Sequence, residues 1–94
     1  MDDFKKLDPA QQKQFLFMVL VQQHEQIGMM GLGKIKNPAT DKIEKELSQA
    51  KFAIDTLEML EQYTQGNLGK DEKDYLTFVL SNLRLNYVQE AQNG

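Results

Sequence analysis

Residues 15–21, Phe-Leu-Phe-Met-Val-Leu-Val, are seven consecutive apolar positions inside a stretch that otherwise repeats at helical spacing. A helix packed on one side is polar on the other, but this one is apolar all round for two turns. Asp8-Pro9-Ala10-Gln11 predicts its start. Asp8 caps free amides, Pro9 suits the first helical position and Gln11 reaches back in a capping box. The first helix is expected over residues 9–30. Its wider stripe, with Leu16, Val19, Leu20, Ile27 and Met30, is assigned to the chain's own core. Phe17, Val21, His24 and Gly28 follow at steps of four, three and four on the other side. They are assigned to a partner, with Gly28 and nearby Gly31 letting another backbone come close.

Residues 31–40 form a glycine-rich loop that ends in Asn37-Pro38, a turn signal. The second helix is expected over residues 41–65. Ile43, Leu47, Ala50, Ile54, Leu57 and Leu60 make its core stripe. Phe52, Met59 and Tyr63 lie on the other side and suggest burial there too. Gly66 is the expected left-handed stop. Gly69 is a weak cap for a third helix over residues 70–91, whose main face holds Tyr75, Leu76, Val79, Leu80, Leu83 and Tyr87. Residues 92–94 are expected to fray. The pattern contains no strand and predicts an all-α domain spanning residues 1–94. Its three amphipathic helices place the second and third in an antiparallel hairpin, with the first packed on it.

Composition narrows the class. The chain has 94 residues, 40% of them hydrophobic and 27% charged, ordinary values for a folded domain with a small core. A net charge of −3 and the lack of a basic stripe argue against nucleic acid as a partner. The absence of cysteine excludes disulfides and thiolate metal sites, and favours a reducing compartment. Met1-Asp2-Asp3-Phe4 does not read as a secretory signal, and the apolar run is too short to span a bilayer. The expected location is the cytoplasm.

Candidate chemistry is sparse. Gly28 to Lys34 matches the first seven positions of a phosphate-binding loop. However, Ile35 stands where Ser or Thr should hold magnesium, a helix precedes the motif where a strand should, and Asn37-Pro38 follows at once. The expected reading is a glycine-rich helix exit. His24, the only histidine, has no ligating companion one turn away, so a packed or interfacial role is expected. Glu58 and Glu61 share a helix face, yet no Glu-x-x-His accompanies them. With Glu44 and Asp55 they read as a solvated face. Met29 and Met30 are expected to close one end of the core. No catalytic residue, cofactor or metal is assigned.

Several segments together resemble a small bacterial family catalogued as domain of unknown function eighteen-forty-four. They are Phe15-Leu16-Phe17-Met18-Val19-Leu20, Asn37-Pro38-Ala39-Thr40, Ile54-Asp55-Thr56-Leu57-Glu58-Met59-Leu60-Glu61, Thr64-Gln65-Gly66-Asn67-Leu68 and Leu83-Arg84-Leu85-Asn86-Tyr87-Val88. Gly69-Lys70 and Asp41 depart from the family pattern. The resemblance implies a compact helical protein and transfers no activity or site residue.

The expected function is a non-enzymatic interaction or scaffold protein that self-assembles, preferably as a homodimer. The candidate interface is Phe17, Val21, His24, Gly28, Phe52, Met59 and Tyr63. Two alternatives are a small-molecule or acyl-chain carrier with a pocket near Met29 and Met30, and a small enzyme with an active site at an interface.

Overall fold

The fold is that of a computed structural model, which describes residues 2–93. It is all-helical, with four helices in the order α1 (Asp2–Lys5), α2 (Pro9–Gly31), α3 (Leu47–Tyr63) and α4 (Lys70–Asn93). The four-residue α1 is an addition to the three expected helices. It buries no residue. Its Phe4 ring lies 5.6 Å from that of Phe15, and Gln12 donates to the Phe4 carbonyl at 3.3 Å.

Local chemistry sets most helix ends. Asp8 accepts from the Gln11 amide at 2.8 Å, and the Gln11 side chain accepts from the Asp8 amide at 3.1 Å. This is the expected capping box. Gly66, at φ +81°, ends the α3 side of the hairpin. Lys70 opens α4, and the Gly69 amide donates to Glu72. Residues 92 and 93 continue α4 where fraying was expected, and Gly94 lies outside the described residues.

The start of α3 differs from expectation, at Leu47 and not residue 41. Residues 37–42 already have other partners for their backbone groups. Asn37 Oδ1 accepts from the Ala39 amide, the Asn37 amide donates to the Lys42 carbonyl, and Asp41 sits at φ 57°. A left-handed residue cannot continue a right-handed helix. The chain then runs extended until the Glu46 amide donates to the Gly31 carbonyl at 2.8 Å. Ile43, expected in the core stripe, is exposed in this segment.

The core lies where α2, α3 and α4 meet. Val21, Leu32, Ala50, Ala53, Ile54, Leu57, Leu76, Val79, Leu80 and Leu83 are buried there. The α3 and α4 stripes match expectation, but α2 is turned the other way. Val21 is fully buried, Phe17 packs against the core and Gly28 is buried. Leu16, assigned to the core, is 57% exposed, and Leu20 also reaches solvent. Val21 and Gly28 are therefore corrected from partner face to core.

The glycines are the reason. A methyl group at Gly31 would lie 2.6 Å from the Ala50 nitrogen and 2.8 Å from the Glu46 carbonyl oxygen. One at Gly28 would lie 2.8 Å from a Leu83 methyl and 3.5 Å from Ala53 Cβ. The α3 backbone approaches α2 so closely that only glycine fits at Gly31. The wide apolar stripe is displaced outward by this requirement.

A charged clasp closes the far end. Lys34 and Lys45, from the two arms of the 32–46 segment, reach Glu90 of α4 at 3.1 and 2.9 Å. Hydrogen bonding from Lys45, then Lys34, holds the Glu90 carboxyl below its ordinary value. A depressed carboxylate pKa stabilises the fold above the unfolded-state value, and that contribution is lost as pH falls through the folded-state value.

Two outcomes follow. Gly31→Ala is expected to lower unfolding free energy by about 2 kcal/mol, because overpacking forces backbones apart; denaturant titration checks it. Helix propensity alone demands the opposite sign, about 1 kcal/mol of stabilisation. Glu90→Gln is expected to lower the Tm at neutral pH, with the gap to wild type closing as pH falls below the ordinary glutamate value of 4.5. Thermal melts across pH measure it.

Candidate functional site

The most distinctive surface is built by α2 and α3 together. These helices run antiparallel, with Gly28 beside Ala53 and Gly31 beside Ala50. Gln49 of α3 donates to the Ile27 carbonyl at 3.2 Å, which marks the sides that face each other. Thr56 and Tyr63 follow Gln49 at steps of seven and therefore lie along that side of α3. Leu20 and Leu16 precede Ile27 by seven and eleven residues on the matching side of α2. The antiparallel register sets Phe52 level with Ile27–Met30, Met59 level with Gln23, and Tyr63 level with the Leu16–Leu20 turn. One face thus carries apolar side chains from two neighbouring helices.

Its exposure is large. Phe52 is 64% and Tyr63 80% exposed, while Leu16, Leu20 and Met59 also reach solvent. Charge is nearly absent. In 23 residues α2 carries only Lys13 and Glu25 as full charges. Glu25 turns toward α4, where Tyr75 Oη lies 3.4 Å from it. Burial first, then the neighbouring Glu25 charge, pushes the Tyr75 hydroxyl above its usual pKa. On α3, Lys51, Asp55 and Glu58 flank the face and are paired. Lys51 meets Asp55 at 2.8 Å, which raises the lysine pKa through that hydrogen bond, and Glu58 meets Arg84 of α4 at 2.8 Å.

The ridge of α4 forms a second exposed apolar feature. Phe78 and Leu85, seven residues apart, are 65% and 60% exposed, with Val88 nearby. Glu58 approaches α4 from the α3 side and Glu25 from the α2 side. Phe78 and Leu85 point away from both.

The interface residues expected from sequence are thus separated. Phe52, Met59 and Tyr63 share the outer face of α3. Val21 and Gly28 belong to the interior, and Phe17 is half-buried against the core. His24 is half-buried, with Nδ1 2.9 Å from the Leu20 carbonyl, one turn back in its own helix. Sequence reasoning missed Leu16 and Leu20 as surface residues. Gly28 and Gly31 carried the signal, since a pair of small residues marks the side where another backbone approaches.

The remaining motifs find structural uses. Gly28–Gly31 of the loop-like motif is helical, and Lys34 is engaged by Glu90. No group of three or more His, Cys, Asp or Glu positioned for a metal occurs among the described residues. One cavity of about 440 Å³ opens at the α3–α4 turn, with Glu61, Thr64, Leu68, Lys73 and Leu76 in its walls. A shallower one of about 340 Å³ lies beside Leu7, Phe15 and Met18. Neither includes Met29 or Met30, where a carrier pocket was expected; Met29 packs against the core. Among the described residues no helix is long and apolar enough to cross a membrane.

No curated protein and no solved structure matches the chain. Residues 14–89 match the domain of unknown function DUF1844, a span that takes in α2 from Gln14 onward, all of α3, all but the last turn of α4 and the segments between them. The chain belongs to the DUF1844 family, whose function is unknown.

Proposed function

We propose that the protein is a non-enzymatic interaction module that self-assembles by burying its apolar helix faces. One observation carries this reading: large apolar side chains stand outside in numbers that match the core. Eleven are exposed among the described residues, against ten buried hydrophobic ones. Scattered exposed apolar residues are normal, but contiguous patches mark interaction sites. Here all but Ile35 and Ile43 lie on helices, most of them along shared faces. Depletion of charge with enrichment in aromatic residues and methionine is the composition of an interface core. Surface-seeking membrane helices carry a strongly cationic polar face instead. The polar positions of α2 are mostly glutamine.

The chain's acidity supports a protein partner over a nucleic acid, and its lack of cysteine suits the cytoplasm. A second reading, a small-molecule carrier, draws on the cavity at the α3–α4 turn. Its size lies within the range of ligand pockets, roughly 300–1,000 Å³. Its lining mixes Leu68 and Leu76 with Glu61, Thr64, Gln65 and Lys73, which suits a small polar molecule better than an acyl chain.

Light scattering across a concentration series tests the leading reading. The full chain is expected to form a dimer or larger assembly in the low micromolar range. A monomer throughout that range would contradict it.

A further inference from the structure

We infer that the α2–α3 face is a two-fold interface and that its occupant is a second copy of this chain. The inference rests on the self-assembly reading above and goes further by naming the face and its symmetry.

The first argument is electrostatic. In a two-fold interface the same patch meets itself, so residues near the axis face their own kind. A charge near the axis would meet a like charge, which costs free energy. The centre of the α2–α3 face, around Gln23 and Thr56, is uncharged, and the nearest α3 charges, Lys51 and Asp55, pair with each other at 2.8 Å. Partners that differ are commonly selected by complementary charge. This face offers none to select with, and self-complementarity is satisfied without any.

The second argument is size. Leu16 to Met30 extends about 20 Å at 1.5 Å per residue, and two adjacent helices are about 20 Å across. The projected patch is roughly 400 Å², within the range of the largest apolar patches on single chains, which are often functional. It is about half of the roughly 800 Å² per partner of a standard interface, so a stable dimer must bury the surrounding polar rim as well. Two antiparallel helices facing two others complete the arrangement of a four-helix bundle. The ridge of α4 is narrower: Phe78, Leu85 and Val88 come from one helix.

Sedimentation velocity of the full chain and three variants, with helicity followed by circular dichroism, tests the inference. Leu16→Glu and Phe52→Glu change side chains that are exposed in the single chain, so helicity is expected to persist. Each is expected to raise the dimer Kd by about 30-fold or more, the scale of an interface hot spot. Leu85→Glu, on the α4 ridge, is expected to leave the dimer intact. If either face variant loses helicity, Thr56→Lys at the centre of the face replaces it. Dimers that survive the face variants but dissociate with Leu85→Glu would overturn the inference while preserving self-assembly. A monomeric wild type would overturn both.

Discussion

The close approach of α2 and α3 at Gly31 is the contact on which the arrangement depends. The Ala50 nitrogen and the Glu46 carbonyl stand where a Gly31 side chain would be. Backbone atoms cannot swing away as a leucine methyl can, so the contact fixes both the spacing and the rotation of α2. Gly28 lies one turn earlier and lets Leu83 of α4 fill the same seam. Val21 and Phe17 then fall inward by helical periodicity, and Leu16 and Leu20 fall outward. The Glu46 amide bond to the Gly31 carbonyl ties the start of α3 to the same point.

This rotation has an energetic cost. Full burial of a leucine contributes about 1.5–3 kcal/mol, and Leu16 at 57% exposure forgoes much of it. A 94-residue chain has little core to spare. The Cα atoms occupy a slab of 45 × 30 × 16 Å, too thin for a further layer of helix to cover the outer faces. Close backbone packing between α2 and α3 offsets that loss in part, and the proposed second chain on the outer face would recover more of it. Structure and proposed assembly therefore have one origin.

Much of the fold was legible in the sequence because its signals are local. The Asp8–Gln11 capping box, the left-handed Gly66 and the start of α4 at Lys70 depend on residues within a few positions of each other. The α3 stripe through Ala50, Ile54 and Leu57 was legible because it is the richer of two unequal faces. Two features were not. The delayed start of α3 depends on Asn37 engaging Ala39 and Lys42, and on Asp41 adopting a left-handed conformation, which helical periodicity cannot register. The rotation of α2 was misread because counting apolar residues favours the wider stripe. The deciding contact is with Glu46 and Ala50, distant in sequence. Of the expected interface, only the Phe52, Met59 and Tyr63 stripe lies on an outer face.

Thiol accessibility at two adjacent positions tests most directly that the glycine contact turns the apolar stripe of α2 outward, where another chain covers it. The natural chain has no cysteine, so Leu20→Cys and Val21→Cys each carry a single reporter. In dilute protein, position 20 is expected to react readily with a maleimide and position 21 to resist until the protein unfolds. Raising the concentration is expected to protect position 20 as copies associate. Faster reaction at position 21 than at position 20 in the folded chain would contradict the rotation. A reactivity at position 20 that does not change with concentration would contradict its coverage by a second copy.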